Sequence, residues 1–209
     1  MSFSMTHSVI LPYPIDRVFP ALSSADQMER LQKLTPEAQE FSLLPSDLVL
    51  LPCNALSALN HAYAMPVDCP RPRKLLPPSL PDKAANADTR QFKRTRFEFS
   101  GTVPILFGLI NLPLSVAGAQ IIDEEAKVVL FESCVAAQGI EEVKLRTFRE
   151  ISLEDGSTGG ADGLGKPGTE VTETVWGTCP FVLSILLKFL APRVHKHHME
   201  LYDRLFKPA

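Results

Sequence analysis

The chain changes its apolar–polar period several times, and each change marks an element. Residues 7–11 read as a short strand ended by Pro12. Pro14 then suits a first helical turn, and Ile15, Val18, Phe19 and Leu22 follow at helical spacing until Pro20 limits the helix. Ser23 with Asp26 resembles an N-cap and acidic first turn, opening a second helix with Met28, Leu31 and Leu34 on one face. Pro36 lies beyond its end, and residues 40–44 can begin another strand.

Strand patterns return at Thr89. Phe97, Phe99, Gly101 and Val103 alternate with Arg96, Glu98, Ser100 and Thr102, the period of a half-buried strand. Residues 115–122 and 127–136 form a hairpin around 123–126, and 139–153 make another long strand, with Val143, Leu145 and Thr147 opposite Glu142, Lys144 and Arg146. The glycine-rich run 154–168 is a loop by composition. A strand over 169–178 then turns at Cys179-Pro180 into one long helix that ends the chain. Thr178 can cap that helix, and Pro180 sits in its first turn. Phe181, Val182, Ile185, Leu186, Phe189, Val194, His198, Leu201, Tyr202 and Leu205 supply its apolar stripe. Pro192 is expected to kink it at a cost of about 3 kcal/mol unless packing compensates. A terminal helix must bury its stripe, and the strands before it offer the surface, with room between for a small apolar molecule.

Two stretches break the pattern. Between 45 and 88 prolines recur at 45, 52, 66, 70, 72, 77, 78 and 81, which reads as an insertion with a short helix at 54–64. Residues 103–114, VPILFGLINLPL, are almost wholly apolar, yet Pro104, Gly108 and Pro113 mark a loop or a broken strand pair. This stretch is either a connection buried under the insertion or an exposed portal or docking surface, with transient membrane contact through it.

Composition narrows the function classes. With 45% hydrophobic and 22% charged residues the chain reads as globular, and a net charge of −3 offers no basic stripe for nucleic acid. The first residues lack a basic segment followed by an apolar one, and residues 181–191, interrupted by Lys188 and closed by Pro192, are too short to span a bilayer. Cys53, Cys69, Cys134 and Cys179 have no framework spacing, so reduced thiols in a cytoplasmic protein are expected. No dinucleotide, Walker or GxSxG motif appears. In 195–198 only His195 and His198 could converge from a helix, and with no third ligand nearby neither a metal nor another cofactor is expected.

The segments HSVILPYPIDRVFPALSSADQMERL, GTVPILFGLINLPLSV and GTEVTETVWGTCPFVLSILLKFL with HHMELYDRL, in that order, resemble the START-like helix-grip superfamily, also called SRPBCC, which includes polyketide cyclase-type and lipid-transport proteins. The Asp16-Arg17-Val18-Phe19 run resembles the opening of such a first helix, and the likeness covers most of the chain apart from 45–88. It implies a single domain over 1–209 of α+β class: a curved antiparallel sheet of about six or seven strands wrapped around a long C-terminal helix, with two short helices after the first strand. It also implies a cavity between sheet and helix for a hydrophobic ligand. Members of the superfamily either carry such molecules or act as cofactor-free cyclases, isomerases and lyases on polyketide- or terpenoid-like intermediates. The alternatives here are therefore such an enzyme, a lipid or sterol carrier, or an interaction module using the proline-rich residues 66–81.

Candidate chemistry follows from which strand faces look inward. If Val171 and Val175 face the cavity then so does Glu173, a carboxylate that burial would push toward general acid–base range; otherwise Thr172, Thr174 and Trp176 face it. Gln120 and Glu132 carry the same ambiguity. His198 and Tyr202 share the stripe of Val194, Leu201 and Leu205, so both should face the sheet as proton shuttle and hydroxyl donor, or as core side chains. Arg96, beside Lys93 and Arg94, could grip an anionic group. Phe97, Phe99, Leu106, Phe107, Leu109, Ile185 and Phe189 complete the expected apolar lining.

Overall fold

The computed structural model describes residues 1–34, 38–52, 89–105, 110–153 and 166–207. Seven antiparallel strands form one sheet: β1 (Ser2–Leu11), β2 (Ala38–Pro52), β3 (Thr89–Ile105), β4 (Ile110–Asp123), β5 (Val128–Val135), β6 (Ile140–Leu153) and β7 (Lys166–Thr178). Their order is β1-β7-β6-β5-β4-β3-β2, so the first strand closes against the last and β2 forms the far edge. Two short helices, α1 (Ile15–Ser23) and α2 (Ala25–Gln32), follow β1, and the long helix α3 (Phe181–Glu200) follows β7. This is the α+β helix-grip arrangement expected from the sequence.

Period-two alternation sorts each strand between two faces. On the face that carries the helices, Val129, Phe131, Phe148 and Val171 pack with Leu22 and Met28, and with Met199, Tyr202 and Leu205 from the end of the chain. Full burial of an aliphatic or aromatic side chain contributes about 1.5–3 kcal/mol, so these contacts hold α1, α2 and the C-terminus on the sheet. The opposite face has its own buried cluster, Val49, Phe92, Ile121, Leu130, Val143 and Leu145, with Trp176 against it.

Several boundaries differ from the sequence reading. β1 begins at Ser2 rather than residue 7, because polar residues alternate with Phe3 and Met5 all along it. β2 does not stop at Pro45 but runs to Pro52 through a register shift between Leu44 and Asp47. Proline is tolerated there because the strand lies at the sheet edge and is bulged. The apolar stretch near residue 104 is strand as well, with Pro104 opposite Asn111 and Ile105 opposite Ile110. β7 starts at Lys166, before the expected Thr169.

The turn joining β4 to β5 forms where expected, with the Asp123 carboxylate accepting from the Glu125 and Ala126 backbone N–H groups at 3.1 Å each and Lys127 at φ 52°. The helix caps fall elsewhere. Ser24 rather than Ser23 precedes α2, and Pro180 rather than Thr178 precedes α3, neither with a side-chain cap bond. α3 continues through Pro192, and Leu201–Phe206 tighten into a 3-10 segment, so Tyr202 and Leu205 lie beyond the α-helix proper. Cys134 and Cys179 are buried, and neither is in a disulfide. The expected helix at 54–64, the proline-rich residues 66–81 and the loop residues 154–165 lie outside the described residues.

The phase of α3 is the main departure. Phe181, Val182, Ile185, Phe189 and Val194 are 62, 79, 56, 69 and 58% exposed, so the predicted stripe largely faces outward. The cause lies in the spacing. Phe181, Val182, Ile185 and Phe189 fall within about 100° of one another on a helix with 3.6 residues per turn, and Leu187 and Ala191, which line the space against β1, lie on the opposite side. Met199, Tyr202 and Leu205 are buried in the core. The end of α3 and the 3-10 segment thus supply the buried contacts, while the earlier apolar positions stay outside.

Candidate functional site

β6 and β7 place charged residues on the helix-bearing face. Val171, Glu173 and Val175 all point inward and are 0, 0 and 1% exposed, which decides the orientation that the sequence left open. Glu142, Lys144 and Arg146 lie on the same face of β6, in line with Phe148, and Arg146 sits opposite Glu173. From the chain end come Tyr202, fully buried, and His195 and His198 of α3, with His7 of β1 opposite Glu173 on its other side.

Arg146 is satisfied on three sides. Its Nε donates to Glu173 Oε1 at 2.5 Å, one Nη to Tyr202 Oη at 2.9 Å, and the other to the Leu22 carbonyl. Tyr202 Oη donates to the same Glu173 Oε1 at 2.6 Å. Leu22 and Ser23 carry carbonyls of the last turn of α1, which lack intrahelical partners. Gln120 donates its side-chain amide to Ser23 just as Arg146 does to Leu22. Gln120 is thus engaged with the end of α1. Together with Arg146 it fastens the C-terminal end of α1 to the sheet, and the arginine cation complements that end of the helix dipole.

The other side of this cluster is open in its bonding. Glu173 Oε2 lies 3.7 Å from Lys144 Nζ and 3.5 Å from His195 Nε2, within ion-pair range but without a hydrogen bond to either. Glu173 Oε2, His195 Nε2 and His198 Nε2 are buried and have no hydrogen-bond partner among the described residues. The His198 ring stands edge-on to Tyr202, with 5.4 Å between centroids.

Electrostatics give these groups distinct states. Burial opposes ionisation of Glu173, but Arg146, Lys144 and His195, with the Tyr202 hydrogen bond, outweigh it and hold the carboxyl well below its usual range. Glu173 is thus an ionised partner of Arg146 and not the raised-pKa acid anticipated from a carboxylate in an apolar pocket. Burial pushes Tyr202 well above the ordinary phenol value, so its hydroxyl stays protonated. Burial likewise pulls His195 and His198 down to about 4, leaving both imidazoles neutral near pH 7 and each with a lone-pair nitrogen. Burial also raises the Glu142 carboxyl, with Lys144 opposing the shift and Glu173 reinforcing it.

A groove of about 250 Å³ runs between β1 and α3 beside this cluster, lined by Ser2, Phe3, Ser4, Met5, Leu187, Lys188, Ala191 and Pro192. Two residues beyond Met5 on the same strand face is His7, and one helical turn beyond Ala191 is His195. The groove therefore mixes apolar residues with Ser2, Ser4 and Lys188, and its two walls run on toward His7 and His195. Gly177 lets Phe3 lie flat there, since a Cβ at that position would sit 2.2 Å from the Phe3 ring.

The remaining candidates divide. Phe97 and Phe99 lie on the helix-bearing face, Phe97 buried in its core and Phe99 against it. Arg96 and Glu132 point to the opposite face, by alternation with Phe97 and Phe131, and so stand apart from the groove and cluster. Ile185 and Phe189 are exposed on the outside of α3 and do not line the groove. Leu106, Phe107 and Leu109 lie outside the described residues. Lys144 and Arg146 were not singled out in the sequence, where they stood only as the strand positions opposite Val143, Leu145 and Thr147, and His195 was weighed only as a metal ligand. The signal available was Phe148 in line with Glu142, Lys144 and Arg146. Among the described residues no three His, Cys, Asp or Glu side chains are arranged to hold a metal ion.

No protein-family model matches the chain, and no curated protein matches it in sequence. Solved structures do. Norcoclaurine synthase from Thalictrum flavum superposes with a TM-score of 0.50 at 9% identity, covering 100% of this chain and 88% of that one. A protein from Thermus thermophilus gives 0.49 at 15% identity, covering 98% and 97%. What the chain shares with norcoclaurine synthase is the fold: an antiparallel sheet with short helices after the first strand and a long C-terminal helix.

Proposed function

We propose that the protein binds a small, mostly apolar molecule bearing one hydroxyl or phenol, in the groove between β1 and α3. The observation that carries this reading is that groove, whose walls run on toward three buried polar atoms without a hydrogen bond, Glu173 Oε2, His195 Nε2 and His198 Nε2. An apolar slot with a few converging polar groups is the usual form of a small-molecule site. A ligand hydroxyl would donate to Glu173 Oε2 or a neutral imidazole and accept from Lys144. The volume, about 250 Å³, falls below the roughly 300–1,000 Å³ common for drug-sized ligands, which favours a compact ring system over a sterol or phospholipid in this groove.

A second reading, a cofactor-free cyclase or isomerase, is favoured by the neutral imidazoles. His198 Nε2 could accept a proton from an acidic ligand carbon or hydroxyl and return it elsewhere on the same molecule, with Lys144 stabilising the oxyanion formed between the two transfers. Glu173 and Tyr202 would then be positioning groups, since both are committed to Arg146.

Native mass spectrometry of the purified protein, with identification of whatever co-purifies, tests both. A single compact hydroxylated compound, lost in Met5→Trp, is the expected result. Long-chain lipids as the bound species, or binding indifferent to Met5→Trp, would overturn the groove assignment. Conversion of the bound compound that stops in His198→Ala, with binding retained, would establish the enzyme reading over the carrier.

A further inference from the structure

The outward face of α3 has an order of its own. Val182, Ile185, Phe189, Arg193 and Lys196 succeed one another at three- and four-residue steps, so they form one row along the helix. Its first half is apolar and exposed, with Phe181 beside it, and its second half is cationic and exposed. Lys188 and His197 flank the row, and α3 has no acidic residue before Glu200, which lies 3.8 Å from Lys196. An isolated exposed leucine needs no explanation, but four large apolar side chains in one patch, 56 to 79% exposed, do.

We propose that α3 docks this face on an anionic phospholipid surface, with Phe181, Val182, Ile185 and Phe189 entering the headgroup–acyl boundary and Arg193 and Lys196 meeting the phosphates. Aromatic and aliphatic residues on one part of a helix surface and Lys or Arg on the adjoining part are what an interfacial helix requires. No described helix is long and apolar enough to cross a membrane, which agrees with a helix that lies on one. The two cations at one end also give the row a polarity: the start of α3 sits deeper than its end. A second copy of the chain fits less well. A stable protein interface takes about 800 Å² and 20–30 residues from each partner, and this row offers a handful. The inference does not rest on the groove or its ligand, because the row lies on the other side of the helix.

Vesicle co-sedimentation of the full chain tests it, using phosphatidylcholine alone and phosphatidylcholine mixed with phosphatidylserine. The wild-type protein is expected to sediment with the anionic vesicles and to be released by salt. Arg193→Glu/Lys196→Glu should weaken partitioning on the order of tenfold or more, and Ile185→Ser/Phe189→Ser should do at least as much. All four side chains are exposed, so circular dichroism and the urea midpoint should match wild type, separating lost docking from lost folding. Absence of wild-type binding to anionic vesicles, or equal binding by both variants, would overturn the proposal. So would a wild-type dimer in sedimentation velocity that Ile185→Ser/Phe189→Ser splits, which would assign the row to a second copy. Vesicle binding that appears only after deletion of residues 53–88 would make that segment its occupant instead.

Discussion

Arg146 and Glu173 face each other across the β6–β7 pairing, both essentially excluded from solvent, with Arg146 Nε donating to Glu173 Oε1 at 2.5 Å. Around this pair Tyr202 and the end of α1 are assembled, so one interaction ties together the sheet, the first helix and the chain terminus. Removing one partner of a buried, hydrogen-bonded ion pair leaves the other charge unpaired, which costs about 3–5 kcal/mol. Glu173→Leu and Arg146→Met are each expected to lower the urea midpoint accordingly. Arg146→Met/Glu173→Leu should fall by less than the sum. Additive losses would show that the pair does not act as a unit.

Tyr202→Phe probes the same network more gently. It removes one donor to a carboxylate and one acceptor for a guanidinium, so a loss of about 1.5–3 kcal/mol is expected in chemical denaturation. A neutral result would mean that Arg146 and Glu173 alone hold the C-terminal segment.

Acid should destabilise the fold in two stages. His195 and His198 sit at about 4 in the folded protein against 6.5 for a free imidazole, so between these values the unfolded chain binds more protons. By linkage, stability from the neutral imidazoles is complete above about 6.5 and falls as pH drops toward 4. Glu173, held below its ordinary 4.5, adds a second loss at still lower pH as the carboxylate protonates. Lys144, Arg146 and His7 face the same cluster and disfavour added positive charge there. Midpoints measured from pH 7 to 4 should decline in wild type and flatten in His195→Gln/His198→Gln. An unchanged slope in that variant would place the acid sensitivity elsewhere.

The groove can be filled without touching the polar cluster. Ala191→Trp and Met5→Trp each project bulk into the space between β1 and α3 and should abolish binding of the co-purifying compound. The half-buried setting of both residues predicts a modest stability change, of about 1–3 kcal/mol for overpacking. Binding that survives both would direct attention away from this groove.

Gly118 lies beneath the Phe97 ring, where an added Cβ would come within 2.3 Å of it. Gly118→Ala must displace a buried aromatic, and a cost of about 1–3 kcal/mol is expected in thermal or urea unfolding. Gly118→Ala/Phe97→Leu should recover part of that loss if the ring is the obstacle.

Much of the architecture was legible in local pattern. Alternation of side chains at 97–103 and 139–153, the turn chemistry at Asp123, and the helical spacing of Val18 and Leu22 all depend on near neighbours in the chain. The edge strand was not legible past Pro45, because a proline is forbidden or harmless according to what lies beside it, and only the sheet order makes β2 an edge. The site was half legible. Glu173, His198 and Tyr202 do converge, but their roles depend on Arg146, a residue 27 positions from Glu173 that alternation alone assigned to neither core nor solvent.

What the sequence determined by itself was the succession of elements and the two-faced pattern of each strand, since these follow from backbone sterics and side-chain period. What the tertiary structure decided was which face of β6, β7 and α3 meets which. The choice turned on long-range contacts: the chain end could pack Phe181, Val182, Ile185 and Phe189 against the sheet, or leave them exposed while Met199 and Tyr202 reach the core. The buried arginine, with its demand for a carboxylate, a hydroxyl and a helix-end carbonyl, favours the second arrangement.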